Sequence, residues 1–155
     1  MRTARSRTSG ENFTDFLMAP SSQRLEPPQK PGRFSPAGYP TIGYGHVVLA
    51  HEQDQFATGI TPAQATELLR QDVRIAERAV LRLISVPLTD GQFDALVSFT
   101  FNLGAGALQR STLRLKANRG EHESVPAELM KWVWAAGKKL PGLVRRRQAE
   151  GACYA

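Results

Sequence analysis

With 155 residues, 41% of them hydrophobic and 22% charged, the chain has the make-up of one globular domain large enough to bury a core of its own. No run approaches the roughly 18 apolar residues of a membrane span. The basic start, Met-Arg-Thr-Ala-Arg-Ser-Arg-Thr, lacks the apolar stretch of a secretory signal, and a single cysteine, Cys153, excludes a disulfide scaffold. A net charge of +6 and a pI near 10 favour an anionic partner, whether nucleic acid, a cell-wall polymer or a membrane surface.

Phe13, Phe16 and Leu17 have helical spacing behind a possible Ser9 cap, which predicts a short helix stopping before Pro20. Six of the ten prolines fall between Pro20 and Pro40, so this stretch is neither a regular helix nor an inner strand, and Ser21 to Arg33 reads as loop. Pro40-Thr41-Ile42-Gly43-Tyr44-Gly45-His46 then favours extended backbone at Thr41, Ile42 and Tyr44. Gly43 and Gly45 interrupt it where a turn, a bulge or a close approach is needed. His51 to Gly59 is polar and reads as a connection.

Thr61-Pro62-Ala63-Gln64 is a helix start, with Thr61 as N-cap, Pro62 in the first helical position and Gln64 closing a capping box. The apolar pattern from Leu68 to Ile84 carries that helix for about six turns, to a break at Pro87. Thr89-Asp90-Gly91-Gln92 repeats the start, and Phe93 to Phe101 is apolar enough to belong in the centre of a core. Asn102-Leu103-Gly104-Ala105-Gly106 ends it. A shorter helix follows Ser111 and stops at Asn118-Arg119-Gly120, another is expected from about Pro126 to Ala136, Gly137 to Leu140 is a turn, and Pro141 opens a last helix.

Four stretches in this order resemble the phage-type lysozymes, the muramidase endolysins of tailed phages. They are Pro40 to His46, Pro87 to Phe99, Phe101-Asn102-Leu103-Gly104, and Leu140 to Arg147. The resemblance implies an α+β, lysozyme-like fold with a small N-terminal β lobe joined by a long helix to a helical C-terminal lobe. Residues 1–155 would form one such domain, with an irregular Pro-rich segment over 1–35, a β lobe over 36–60, and the long helix with the helical lobe over 61–155. It also implies hydrolysis of the β-1,4 bond between N-acetylmuramic acid and N-acetylglucosamine in bacterial peptidoglycan.

The family's catalytic signature is a Glu, eight residues, an Asp or Cys, five residues, then the Thr that begins the hairpin. Counted back from Thr41, these positions fall on Ser35 and Glu26. Cleaving a glycosidic bond needs a protonated carboxyl to assist the leaving oxygen, the role the resemblance gives Glu26. Thr41 would hold water on the far side of the sugar. Ser35 occupies the middle position with a hydroxyl that supplies no negative charge, which predicts reduced activity. A second register, set by Phe16-Leu17-Met18 and Arg24-Leu25-Glu26-Pro27, instead puts the acid position on Ser21 and leaves Glu26 a loop carboxylate.

Tyr44, His46 and Asn102 are the candidate substrate-binding residues. His46 also reads as a hydrogen-bonded support of the turn, and Asn102 as a cap on backbone groups. Trp132 reads as core, Trp134 as a packing residue or a sugar platform, and Arg145-Arg146-Arg147 as a solvated basic face. His46, His51 and His122 lack metal-ligand spacing, so neither a metal nor a cofactor is expected. The expected protein is a monomer acting on peptidoglycan, held in the host cytoplasm until holin-dependent release to the periplasm. A catalytically weak or inactive peptidoglycan-binding protein is the first alternative. A basic nucleic-acid-binding protein is the second, disfavoured because no nucleic-acid-binding motif occurs.

Overall fold

The computed structural model describes the backbone of residues 33–34 and residues 39–155 in full. The expected helix around Phe13 to Leu17 and most of the Ser21–Arg33 loop lie outside the described residues. Those that are described fall into two compact units, one up to Ile75 and one over Ala76–Ala155. The boundary lies inside one long helix.

The first unit holds a three-stranded antiparallel sheet of β1 (Arg33–Phe34), β2 (Pro40–Ile42) and β3 (His46–Val47), in that spatial order. Thr41 lies opposite Arg33 on one side and Val47 on the other, and Ile42 opposite His46. Tyr44, expected to be extended, sits instead in the three-residue turn that joins β2 to β3. The polar stretch after the sheet is not a plain connection. It forms a 3-10 turn at Ala50–Glu52 and a one-turn helix, α1 (Gln53–Phe56), because Phe56 is carried inward to 4% exposure. Phe56 joins Ile42, Val48, Ile60 and Ala65 in a small core on which Tyr44 and Leu68 pack.

The long helix α2 (Pro62–Leu83) begins as its sequence predicts. Thr61 Oγ1 accepts from the Gln64 N–H at 3.2 Å, and Gln64 Oε1 accepts from the Thr61 N–H at 2.8 Å. The same reciprocal pair, Thr89 with Gln92, starts α3 (Asp90–Leu103). Helix α3 buries Phe93, Ala95, Leu96, Val97 and Phe99, along with the polar Ser98 and Thr100. Each large apolar side chain so buried stabilises the fold by about 1.5–3 kcal/mol. Helices α4 (Ala105–Arg110), α5 (Thr112–Asn118, capped by Ser111) and α6 (Val125–Leu129) follow, and α7 (Pro141–Tyr154) packs against both α3 and α6. At Gly91 α3 comes close to α7, since a Cβ there would collide with the Cys153 carbonyl oxygen.

The sequence expectation fails at three points in this unit. Helix α4 forms where only a helix end was expected, started by a Gly104 at φ +85° that turns the chain out of α3. The helix expected to reach Ala136 stops at Leu129. Trp132, Val133 and Trp134 are aromatic or β-branched and favour extended backbone. Trp134–Ala135 (β4) therefore pairs with Lys138–Lys139 (β5) in a hairpin. Finally, the basic run in α7 is a solvated face only in part, because Arg145 is exposed but Arg146 is half-buried and Arg147 fully buried.

Candidate active site

The β2–β3 turn is fixed by its sequence. Gly43 has φ +60° and Gly45 φ +102°, backbone conformations that L side chains rarely adopt. At Gly43 space is also short, since a Cβ would lie 3.2 Å from both the Ala65 Cβ and the Ile60 Cδ1. The turn is thus pressed onto the first turns of α2, and the Gly45 N–H closes it by donating to the Ile42 carbonyl at 3.2 Å.

His46 anchors the far side of the hairpin. Its Nδ1 lies 2.9 Å from Asp72 Oδ2, and because a carboxylate only accepts, that nitrogen carries the proton. Its Nε2 lies 3.5 Å from Glu52 Oε2, too long for a good hydrogen bond, so this contact is electrostatic. The ring meets Phe56 edge-on at 5.8 Å. The hydrogen bond to Asp72 is the main reason the His46 pKa lies above 6.5, with the charges of Asp72 and Glu52 adding to it. Glu52 is itself held below the usual carboxylate range, chiefly by the Leu49 N–H that donates to it at 2.9 Å.

Of the residues singled out from the sequence, Thr41, Tyr44 and His46 are brought together in this one hairpin. Thr41 is half-buried in the central strand, and Tyr44 rests on the small core. Glu26 and Ser35 lie outside the described residues, as does Ser21. Asn102 belongs to the other unit. There its Oδ1 accepts from Arg147 Nη2 at 2.7 Å.

That contact opens onto a buried polar cluster that the sequence reading missed. Arg147 Nε lies 3.1 Å from Glu150 Oε2, with both residues wholly buried, although the pair is not aligned as a hydrogen bond. Ser98 Oγ donates to Glu150 Oε1 at 2.7 Å. The guanidinium also lies 5.1 Å from the Phe99 ring centre, and Phe99 meets Trp132 edge-on at 5.4 Å. Burial pushes the Glu150 carboxyl up to about 7 and draws Arg147 down to about 10, so desolvation outweighs the attraction between them. A sequence signal did exist, since Ser98 and Thr100 are the polar residues within the mostly apolar run Ala95–Phe101. Asp72 gave a similar one, because it stands three residues after buried Leu69 and four before buried Ala76, on the inward stripe of α2.

Among the described residues, no group of three or more His, Cys, Asp or Glu side chains is gathered to hold a metal ion. No helix among them is long and apolar enough to cross a membrane.

Comparison with known proteins agrees with this picture. Residues 24–150 match the phage lysozyme family. The chain is 43% identical over 122 residues to the endolysin of Acyrthosiphon pisum secondary endosymbiont phage 1, covering 76% of this chain and 81% of that one. It is 41% identical over 116 residues to the endolysin of Bacillus phage B103, covering 75% of this chain but only 43% of that longer relative. Among solved structures, the endolysin of Escherichia coli O157:H7 phage FAHEc1 superposes with a TM-score of 0.74 at 32% identity, over 97% of this chain and 94% of that one. The fold, the order of its motifs and these relatives lead to one conclusion: the chain belongs to the phage lysozyme family.

Proposed function

We propose that the chain is an endolysin that hydrolyses the β-1,4 bond between N-acetylmuramic acid and N-acetylglucosamine in peptidoglycan. The observation that supports this reading is the β2–β3 hairpin, whose glycine turn and His46–Asp72 anchor shape the segment that carries Thr41 within a phage lysozyme chain. Glu26 donates a proton to the leaving oxygen. Thr41 orients water through its hydroxyl, and Ser35 occupies the position between them in the signature. With a hydroxyl there in place of a carboxylate, one electrostatic or general-base contribution is lost, a loss of about 10²- to 10⁴-fold in rate. Reduced activity is part of the proposal. Tyr44, His46 and Asn102 contribute to binding the strand, and access to the periplasm follows holin-dependent release.

The test is lysis of permeabilised Gram-negative cells, followed by turbidity, with Glu26→Gln and Ser35→Asp beside the parent. Slow lysis by the parent, none by Glu26→Gln and faster lysis by Ser35→Asp are expected. Binding to sacculi without lysis by any variant would support the second reading, a peptidoglycan-binding protein without turnover, for which the Ser35 hydroxyl is the specific motive. Equal lysis by Glu26→Gln would remove Glu26 as the acid and favour the other register.

A further inference from the structure

The β4–β5 hairpin displays the one tryptophan that the core does not use. Trp134 is 62% exposed, against the packing role that is one of its two sequence readings, while its neighbour Val133 is buried at 3% and pins the base of the hairpin. The two central turn residues, Ala136 and Gly137, both have positive φ, at 49° and 73°. This is the two-residue turn whose twist suits a tight hairpin. Ala136 holds that conformation against its steric preference, so the hairpin is a built feature rather than a slack loop.

Register decides which side chains share a face. Ala135 pairs with Lys138 next to the turn, and the Leu140 N–H donates to the Val133 carbonyl at 3.0 Å. Trp134 and Lys139 are therefore the directly opposed pair between these bonded positions, the kind in which side chains stand closest. Both are exposed, and they project to the same side. Lys138, also exposed, projects to the opposite side. One face thus offers an indole and an ammonium group together, and the other face an ammonium group alone.

We propose that this Trp134–Lys139 face is an accessory site for the peptidoglycan strand, with the indole stacked on a sugar ring and Lys139 paired with a stem-peptide carboxylate. The proposal rests on the reading that the chain acts on peptidoglycan, and it adds a named contact for the polymer on the β4–β5 hairpin. A flat aromatic face suits the C–H surface of a pyranose, and an adjacent ammonium suits a polymer that bears carboxylates at regular intervals. An anionic lipid surface fits less well. Insertion needs a contiguous apolar tip, whereas the tip here is Ala136-Gly137.

The experiment measures binding of the full chain to purified Gram-negative sacculi in the cold. Trp134→Ala is expected to weaken binding about tenfold and Trp134→Phe much less. Lys139→Gln should weaken it about threefold, with Lys138→Gln close to the parent. Blocking the sacculus carboxylates by amidation should abolish the difference between the two lysine variants. Equal weakening by both lysine variants, or no effect of Trp134→Ala, would overturn the proposal. So would a loss of binding to phosphatidylglycerol vesicles in Trp134→Ala with sacculus binding unchanged. Cleavage is scored separately: a chain that binds through Trp134 without cleaving removes only the hydrolase reading, and one that cleaves with binding indifferent to Trp134 removes only the accessory site.

Discussion

The two compact units solve the same problem, a charged pair inside a small protein, in different ways. In the first, His46 and Asp72 stay 16% and 22% exposed, and the pair is joined by a direct hydrogen bond. In the second, Arg147 and Glu150 are both fully buried and meet without an aligned hydrogen bond, relying on Asn102, Ser98 and the Phe99 ring. The partly exposed pair keeps water on part of each group and adds net stability. The buried pair gives up its hydration, so what matters there is that neither partner be left alone.

This contrast is broken most sharply by removing one member of each pair. Arg147→Ala leaves Glu150 buried without its cation, so the carboxyl must either stay charged alone or take up a proton, and urea unfolding should show a loss of about 3–5 kcal/mol. Asp72→Asn should lose about 2 kcal/mol below pH 6.5, where His46 is charged in folded and unfolded chain alike. A larger loss in Asp72→Asn than in Arg147→Ala would invert the comparison.

The pH dependence sharpens it further. Both Glu150 and His46 have folded-state pKa values above their unfolded ones, so in each case the folded chain holds its proton more tightly. Their stabilising contributions are complete at low pH and fade as pH rises. For Glu150 the fall runs from about 4.5 to about 7, and for His46 it starts near 6.5 and continues through the raised folded value. Denaturation midpoints across pH should lose the first decline in Glu150→Gln and the second in Asp72→Asn.

Smaller effects follow at the two hairpins. Gly43→Ala meets Ala65 and Ile60 at a positive φ and should destabilise by about 1 kcal/mol. Trp134→Ala removes an exposed side chain and should change stability by less than about 0.5 kcal/mol. A thermal melt of both variants distinguishes a turn that the fold needs from one that it merely carries.

Much of this architecture is legible in residue order. Helices α2, α3, α5 and α7 begin where Thr61, Thr89, Ser111 and Pro141 predict, because caps and first-turn prolines act locally. The elements that were misread depend on partners far along the chain. Trp134–Ala135 is a strand only because Lys138–Lys139 returns beside it, and α1 forms because Phe56 has a core to enter. The site divides in the same way. Motif spacing found the hairpin and His46, yet Asp72, 26 residues on, had to be located in space. The basic run in α7 looked solvated because nothing near it in sequence announces that Ser98, Asn102 and Phe99 surround Arg147.

The central claim is that the chain cleaves the muramic acid–glucosamine bond by hydrolysis, and the most direct measurement is the chemistry of the new chain ends. Purified sacculi would be digested and the released fragments analysed by reduction and mass spectrometry. The account predicts N-acetylmuramic acid at the new reducing ends, carrying the added mass of one water, at a rate that Thr41→Ala lowers. New ends of N-acetylglucosamine, anhydro-muramic ends without added water, or intact glycan strands after prolonged digestion would contradict it.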